Sequence, residues 1–164
     1  LWVRCPAAGQ RPTPLTLAHN KHREVSMKQR QIFITAFDKK RLDELIAVAR
    51  EFGGHARKDL DDLAAELDRA SVVDSRKVPA NVVTMNAKVV LHDLDTSEDE
   101  TYDLVFPHEA DAGSGAISVL APIGTAILGY REGEVVEWPV PSGLRRIRIE
   151  KILYQPEAAG DFHR

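Results

Sequence analysis

The chain has 164 residues and a single cysteine, Cys5, so it has no disulfide framework and a reducing, cytoplasmic setting is expected. Aromatic residues make up only 6% of the chain, which argues against an aromatic-lined pocket of the kind that holds small apolar ligands. No stretch approaches the roughly 20 apolar residues that a membrane span requires. HExxH, CxxC, phosphate-loop and dinucleotide glycine patterns are all missing. The six histidines are scattered, and only His19 and His22 lie close together. The segment "DLDTSED" alternates Asp93, Asp95, Ser97 and Asp99 like a calcium loop, but Glu98 stands where the glycine belongs and Leu104 where the final glutamate belongs. "GSG" around Ser114 reads as a turn, because no nucleophile-elbow pattern follows a strand. No metal, cofactor or catalytic residue is therefore expected, and the chain reads as a non-enzyme.

What is present is a patterned chain with 43% hydrophobic residues, 29% charged residues and a formal net charge of −3. The charge is uneven. Residues 1–26 carry Arg4, Arg11, Lys21 and Arg23 against Glu24 alone, a surplus of three, so with −3 overall the remainder stands at −6. This leader contains prolines and cations but no continuous apolar segment, unlike a secretory signal. Met27 opens the patterned region and is the expected biological start, with residues 1–26 a doubtful or disordered leader.

Residues 27–76 read as a short helical hairpin and residues 77–164 as a small sheet domain. Asp38 is the expected N-cap of a first helix, in which Leu42, Leu45, Ile46 and Ala49 recur at helical spacing. Gly53 and Gly54 turn the chain, and Leu60, Leu63, Ala64 and Leu67 repeat the pattern. Each helix has about 14 residues, hence a length of about 21 Å. From Val78 the period becomes two: Val83, Met85, Ala87, Val89 and Leu91 share one strand face, with Thr84, Asn86 and Lys88 on the other. Further strands follow at Tyr102–Phe106, at Ile117 and Val119, at Val136–Val140, and in a closing strand with Ile147, Ile149 and Leu153 on one face. The sum is an α+β domain of antiparallel strands with one short helix.

That helix is "SVLAPIGTAILG", residues 118–129. Pro122 suits the first helical position, where a missing N–H is harmless, and Gly129 suits a left-handed residue after the last turn. Gly124 removes a side chain near the helix start, which leaves room for another chain to approach. Ile123, Ala126 and Ile127 share a face; core packing is the expected role of Ile127.

At these residues the sequence resembles a known group. "ISVLAPIGTAILGYREGEVVEWPVPSGLRRIRIEKILYQPEA" resembles the C-terminal domain of the Gre-type transcript-cleavage factors. "VPANVVTMNAKVVLHDL", "LAPIGTAILG" and "YQPEAAGDFH" fit more closely the related regulator of nucleoside diphosphate kinase family, Rnk. The resemblance spans about residues 30–164. It implies an N-terminal antiparallel helical hairpin followed by an FKBP-like antiparallel sheet with one short helix, docking on RNA polymerase near its secondary channel. It also implies a link, direct or indirect, to nucleoside diphosphate kinase, contact with nucleic acid only through the polymerase complex, and no membrane association. Ser118, Pro122, Gly124, Leu128 and Gly129 match the related motif, while Ala121 stands where cleavage factors carry serine. The expected partner-binding set is Ser118, Ala121, Pro122, Ile123, Gly124 and Leu128.

Cleavage factors gather acids at the hairpin tip to help hold a catalytic magnesium. Here the tip holds Glu51, Gly53, Gly54, His55, Arg57 and Asp59, flanked by Arg50 and Lys58. A hard cation needs converging oxygens, and two acids among these cations do not supply them. A tip without transcript-cleavage chemistry is expected. Two rival readings stay open: an FKBP-like peptidyl-prolyl isomerase, and direct DNA binding through Arg145, Arg146, Arg148 and Lys151.

Overall fold

The computed structural model describes residues 32–52, 57–140 and 143–162. The first strand, β1 (Phe33–Thr35), runs directly into helix α1 (Ala36–Phe52). Thr35, not Asp38, caps that helix: its Oγ1 accepts the Asp38 N–H at 2.8 Å. The cap falls earlier than expected because a threonine three residues upstream already satisfies a free N–H of the first turn. Asp38 lies inside the helix with its side chain turned inward, 2% exposed. Helix α1 is correspondingly longer than expected, at 17 residues, while α2 (Arg57–Arg69) has 13.

The apolar stripes behave as their spacing requires. Leu42 and Ile46 of α1 and Leu60, Leu63 and Leu67 of α2 are buried, with Leu45, Ala49 and Ala64 partly so. After α2, strand β2 (Ser71–Val73) returns alongside β1 in parallel register, Phe33 opposite Ser71 and Thr35 opposite Val73. The two ends of the hairpin are thus stitched together by a small sheet that its periodicity does not reveal.

The C-terminal sheet contains β3 (Lys88–Asp93), β4 (Asp99–Val105), β5 (Ala116–Ser118), β6 (Val135–Val140) and β7 (Gly143–Tyr154), in the order β5-β4-β3-β7-β6. Three of its four neighbour pairs are antiparallel, but β5 runs parallel to β4. The expected wholly antiparallel sheet is therefore mixed. The chain leaves β4 through a turn at Pro107–Glu109 and loops back before β5, which allows the parallel return.

Alternation from Val83 to Leu91 places its five inward residues correctly, but Thr84 on the expected outward face is buried as well and β3 begins only at Lys88, so neither the outward face nor the element type holds throughout. Asn86 adopts a left-handed φ of 58°, which bends the chain; asparagine tolerates this region better than most residues. In β7, register shifts opposite Val89 and Val90 leave Glu150 and Leu153 without a Cα partner on β3. A bulge moves every later side chain to the opposite face. That is why Leu153 is 50% exposed instead of joining Ile147 and Ile149 in the core.

The hairpin leucines and the sheet residues Val89, Leu91, Leu104, Val136 and Ile149 belong to one continuous core. Helix α3 (Pro122–Ile127) packs against both α2 and β6. The hairpin is consequently seated on the sheet domain through α2 and the shared core.

Candidate functional site

The approach to α3 is fixed by backbone bonds. Ser118 Oγ accepts the Leu120 N–H at 3.1 Å, and Ala121 N donates to Ser118 O at 2.9 Å. Pro122 occupies the start of the helix, and Ala121 at the N-cap supplies no side-chain acceptor. Thr125 Oγ1 donates to Val119 O at 2.7 Å, tying the helix to the end of β5. Gly129 has φ 76°, the left-handed conformation its position predicts.

The six expected docking residues separate into two layers. Pro122 is exposed, and Ser118, Ala121 and Ile123 are half-buried, so these four form the outward edge. Gly124 is buried and Leu128 is only 2% exposed. A Cβ on Gly124 would lie 2.1 Å from Ser118 O. The chain that approaches Gly124 is therefore the protein's own β5, not an outside partner, and this corrects the sequence expectation. Ile127 is fully buried, in line with its expected core role, and Ile123 packs against the same core from a half-buried position.

At the hairpin end, Gly53, Gly54 and His55 lie outside the described residues. Glu51 is exposed, Arg57 begins α2, and Asp59 is half-buried. Arg50 Nη2 bonds Asp61 Oδ1 at 2.8 Å, which joins the end of α1 to the start of α2. Among the described residues, no three histidine, cysteine or carboxylate side chains converge as a metal site.

The cationic cluster on β7 is largely spoken for by carboxylates. Arg145 pairs with Asp93, Arg146 with Asp95 at 3.0 Å, and Arg148 with Glu150 at 2.6 Å. The "DLDTSED" loop is the β3–β4 turn, in which Asp93 accepts the N–H groups of Asp95 and Thr96. Burial raises the Asp93 pKa, but those two N–H bonds and Arg145 outweigh it and hold the carboxyl below its ordinary value. Arg146 holds Asp95 low through its side-chain hydrogen bond and its backbone N–H. A cavity of ≈ 280 Å³ on the hairpin is lined by Asp43, Ile46, Ala47, Arg50, Ala64 and Asp68, with no aromatic side chain.

One cluster escaped the sequence reading. Thr35, Asp38, Thr84 and Gln155 are buried polar residues near the junction of hairpin and sheet. Thr84 Oγ1 donates to Glu157 Oε2 at 2.7 Å, and Gln155 Nε2 donates to Pro79 O and Val82 O at 3.0 and 2.7 Å. Burial, then the neighbouring charge of Glu157, pushes Asp38 up to about 6. Next to it, the Arg41 guanidinium stacks 4.0 Å from the centroid of Phe106. Apolar periodicity carries no signal for such a group, since its members are polar and lie far apart in the chain.

The chain is similar to known proteins along nearly all of its described length. A model of the Rnk N-terminus matches residues 30–73, and a model of the C-terminal part of the transcription elongation factors GreA/GreB matches residues 78–154. A "Regulator of nucleoside diphosphate kinase" from Escherichia coli (strain K12) is 36% identical over 138 residues, covering 83% of this chain and 98% of the relative. A "Transcription elongation factor GreA" from Desulfotalea psychrophila is 34% identical, covering 91% of this chain and 96% of the relative. Among solved structures, a "Prokaryotic transcription elongation factor GreA/GreB" from Nitrosomonas europaea superimposes with a TM-score of 0.63 at 38% identity, covering 76% of this chain and all of the other. With an Rnk-type hairpin leading into a GreA/GreB-type sheet, the chain belongs to the regulator of nucleoside diphosphate kinase family, a branch of the Gre-factor group.

Proposed function

We propose that this Gre-type regulator acts without chemistry of its own, by docking on bacterial RNA polymerase through the outward edge of α3. The observation that carries the reading is the layered build of that edge. Pro122 stands exposed at the head of a helix that Gly124 and Thr125 hold rigidly against β5. An ordered apolar rim of this kind loses little entropy on binding. Ser118, Ala121 and Ile123 flank Pro122 in the contact, and Gly124 and Leu128 support it from beneath. The hairpin then occupies space at the polymerase channel, with cations beside Glu51 and Asp59 where a metal-holding tip needs converging acids. The names carried by the relatives support a role in transcription and a link to nucleoside diphosphate kinase, which on this reading is exerted through transcription.

The test is co-elution of the full chain with purified RNA polymerase, using Ala121→Arg and Ile123→Arg as surface variants. Both are expected to fold and to lose co-elution. Retention of binding in both removes α3 from the interface. Added to stalled polymerase complexes, the protein is expected to release no cleaved transcript; cleavage that disappears in Glu51→Ala overturns the proposed mechanism. A mobility shift of bare DNA at moderate salt, or acceleration of proline isomerisation in a peptide, favours the two rival readings instead.

A further inference from the structure

Two acidic residues from opposite ends of the described chain lie within electrostatic reach of each other where the hairpin sits on the sheet domain. Asp38 belongs to the first turn of α1, and Glu157 to the short helix α4 (Pro156–Ala159) that follows β7. Adjacent residues lie beside both: the Met85 backbone N–H lowers the Asp38 pKa somewhat, while Thr84 Oγ1 donates to Glu157 Oε2 at 2.7 Å. Thr84 and Met85 are each 1% exposed and Asp38 is 2% exposed. Gln155 anchors the root of α4 through its bonds to Pro79 O and Val82 O, so the helix has little freedom to swing away.

We propose that Asp38 and Glu157 form a proton-responsive clasp that seats the hairpin on the sheet domain, tight when Asp38 is protonated and weakened when both carboxyls are ionised. The negative charge of Glu157 disfavours a second negative charge on the buried Asp38, and one proton on Asp38 removes that repulsion. The surroundings do not cancel the effect. Arg41 is the cation facing Asp38, and it comes from α1 itself with its guanidinium stacked on Phe106. Strand β1 and the 82–87 segment contribute no charged side chain, only the Thr35 and Thr84 hydroxyls and the Met85 N–H. The balance favours the protonated acid: burial and Glu157 together outweigh Thr35, Arg41 and Met85. The clasp is independent of what α3 binds, and it makes the hold on the hairpin depend on pH.

The test uses the full chain, carbon-13 labelled, with the Asp38 carboxyl carbon followed by NMR from pH 4 to 8 and assigned through Asp38→Asn. A midpoint near 6 is expected, moving downward in Glu157→Gln. Hydrogen-exchange protection factors, corrected for intrinsic rates, report the seating. Amides of β1, α1 and β2 are expected to lose about threefold or more of their protection between pH 5 and pH 8, and less in Glu157→Gln. The β3, β4 and β7 amides are expected to change less. Glu157 is only half-buried, so its glutamine variant is expected to fold even where Asp38→Asn does not. An Asp38 midpoint in the ordinary carboxylate range near 4, a midpoint unmoved by Glu157→Gln, or equal loss of protection across both sheets overturns the proposal.

Discussion

Replacing Gly124 by alanine sets two physical effects against each other and predicts which one wins. Gly124 sits in the first turns of α3 with ordinary helical backbone, so helix propensity alone favours alanine by about 1 kcal/mol. Packing opposes it. The added Cβ would lie 2.1 Å from Ser118 O, 3.0 Å from Ser118 C and 3.1 Å from Val119 Cα. Ordinary carbon–oxygen contacts begin near about 3.3 Å, so the first of these is more than 1 Å too close. All three atoms are backbone, and no flexible side chain is available to swing aside. The helix start is also tied to the same strand by Ala121 N to Ser118 O at 2.9 Å and Thr125 Oγ1 to Val119 O at 2.7 Å. Relief requires β5 to shift against β4, on which its three paired residues depend. Overpacking of this kind costs about 1–3 kcal/mol, and the rigid backbone places this site at or above the upper end. The expected net loss is about 2 kcal/mol after the propensity gain. Urea unfolding followed by circular dichroism is expected to show a lower midpoint with an unchanged slope, and a Tm lower by about 4–8 °C. A midpoint equal to or above that of the parent chain would mean that propensity governs this position and that the contact with β5 is not rigid.

Leu63→Ala truncates a fully buried α2 side chain and is expected to cost about 2–5 kcal/mol by chemical denaturation. A cost below about 1 kcal/mol would mean that Leu63 contributes little to the shared core. Thr35→Ala removes the cap of α1 and is expected to cost about 1 kcal/mol, with Thr35→Ser restoring most of it in the same unfolding assay. Asp93 and Asp95 both titrate below their ordinary value in the folded protein, so their contribution is present above that value and is lost as pH falls through the folded one. Acid unfolding below about pH 4 is therefore expected to be blunted in Asp93→Asn; an unchanged acid limb would remove the Arg145 pairing from the stability of the β3–β4 turn.

Local spacing carried much of the fold. Leucines three and four apart place Leu42, Leu60, Leu63 and Leu67 in the core, and alternation correctly marks Val83, Met85, Ala87, Val89 and Leu91 as inward-facing while missing the buried Thr84. Proline at the head of α3 and glycine after it locate that helix to the residue. What spacing mistook was the cause of a pattern. The alternation before Lys88 belongs to a bent segment around Asn86, and the even spacing of Leu153 is undone by the bulge at Glu150, which depends on the partner strand.

The sequence by itself determined which hairpin leucines turn inward and where α3 begins, because those properties arise from neighbours within a few residues. Tertiary structure alone decided that β1 pairs in parallel with β2, that β5 runs parallel to β4, and that Gly124 makes room for the chain's own strand. It also brought Asp38 within reach of Glu157. Each of these joins residues that do not sense one another until the core has closed, and the charge and steric terms they feel exist only at that distance.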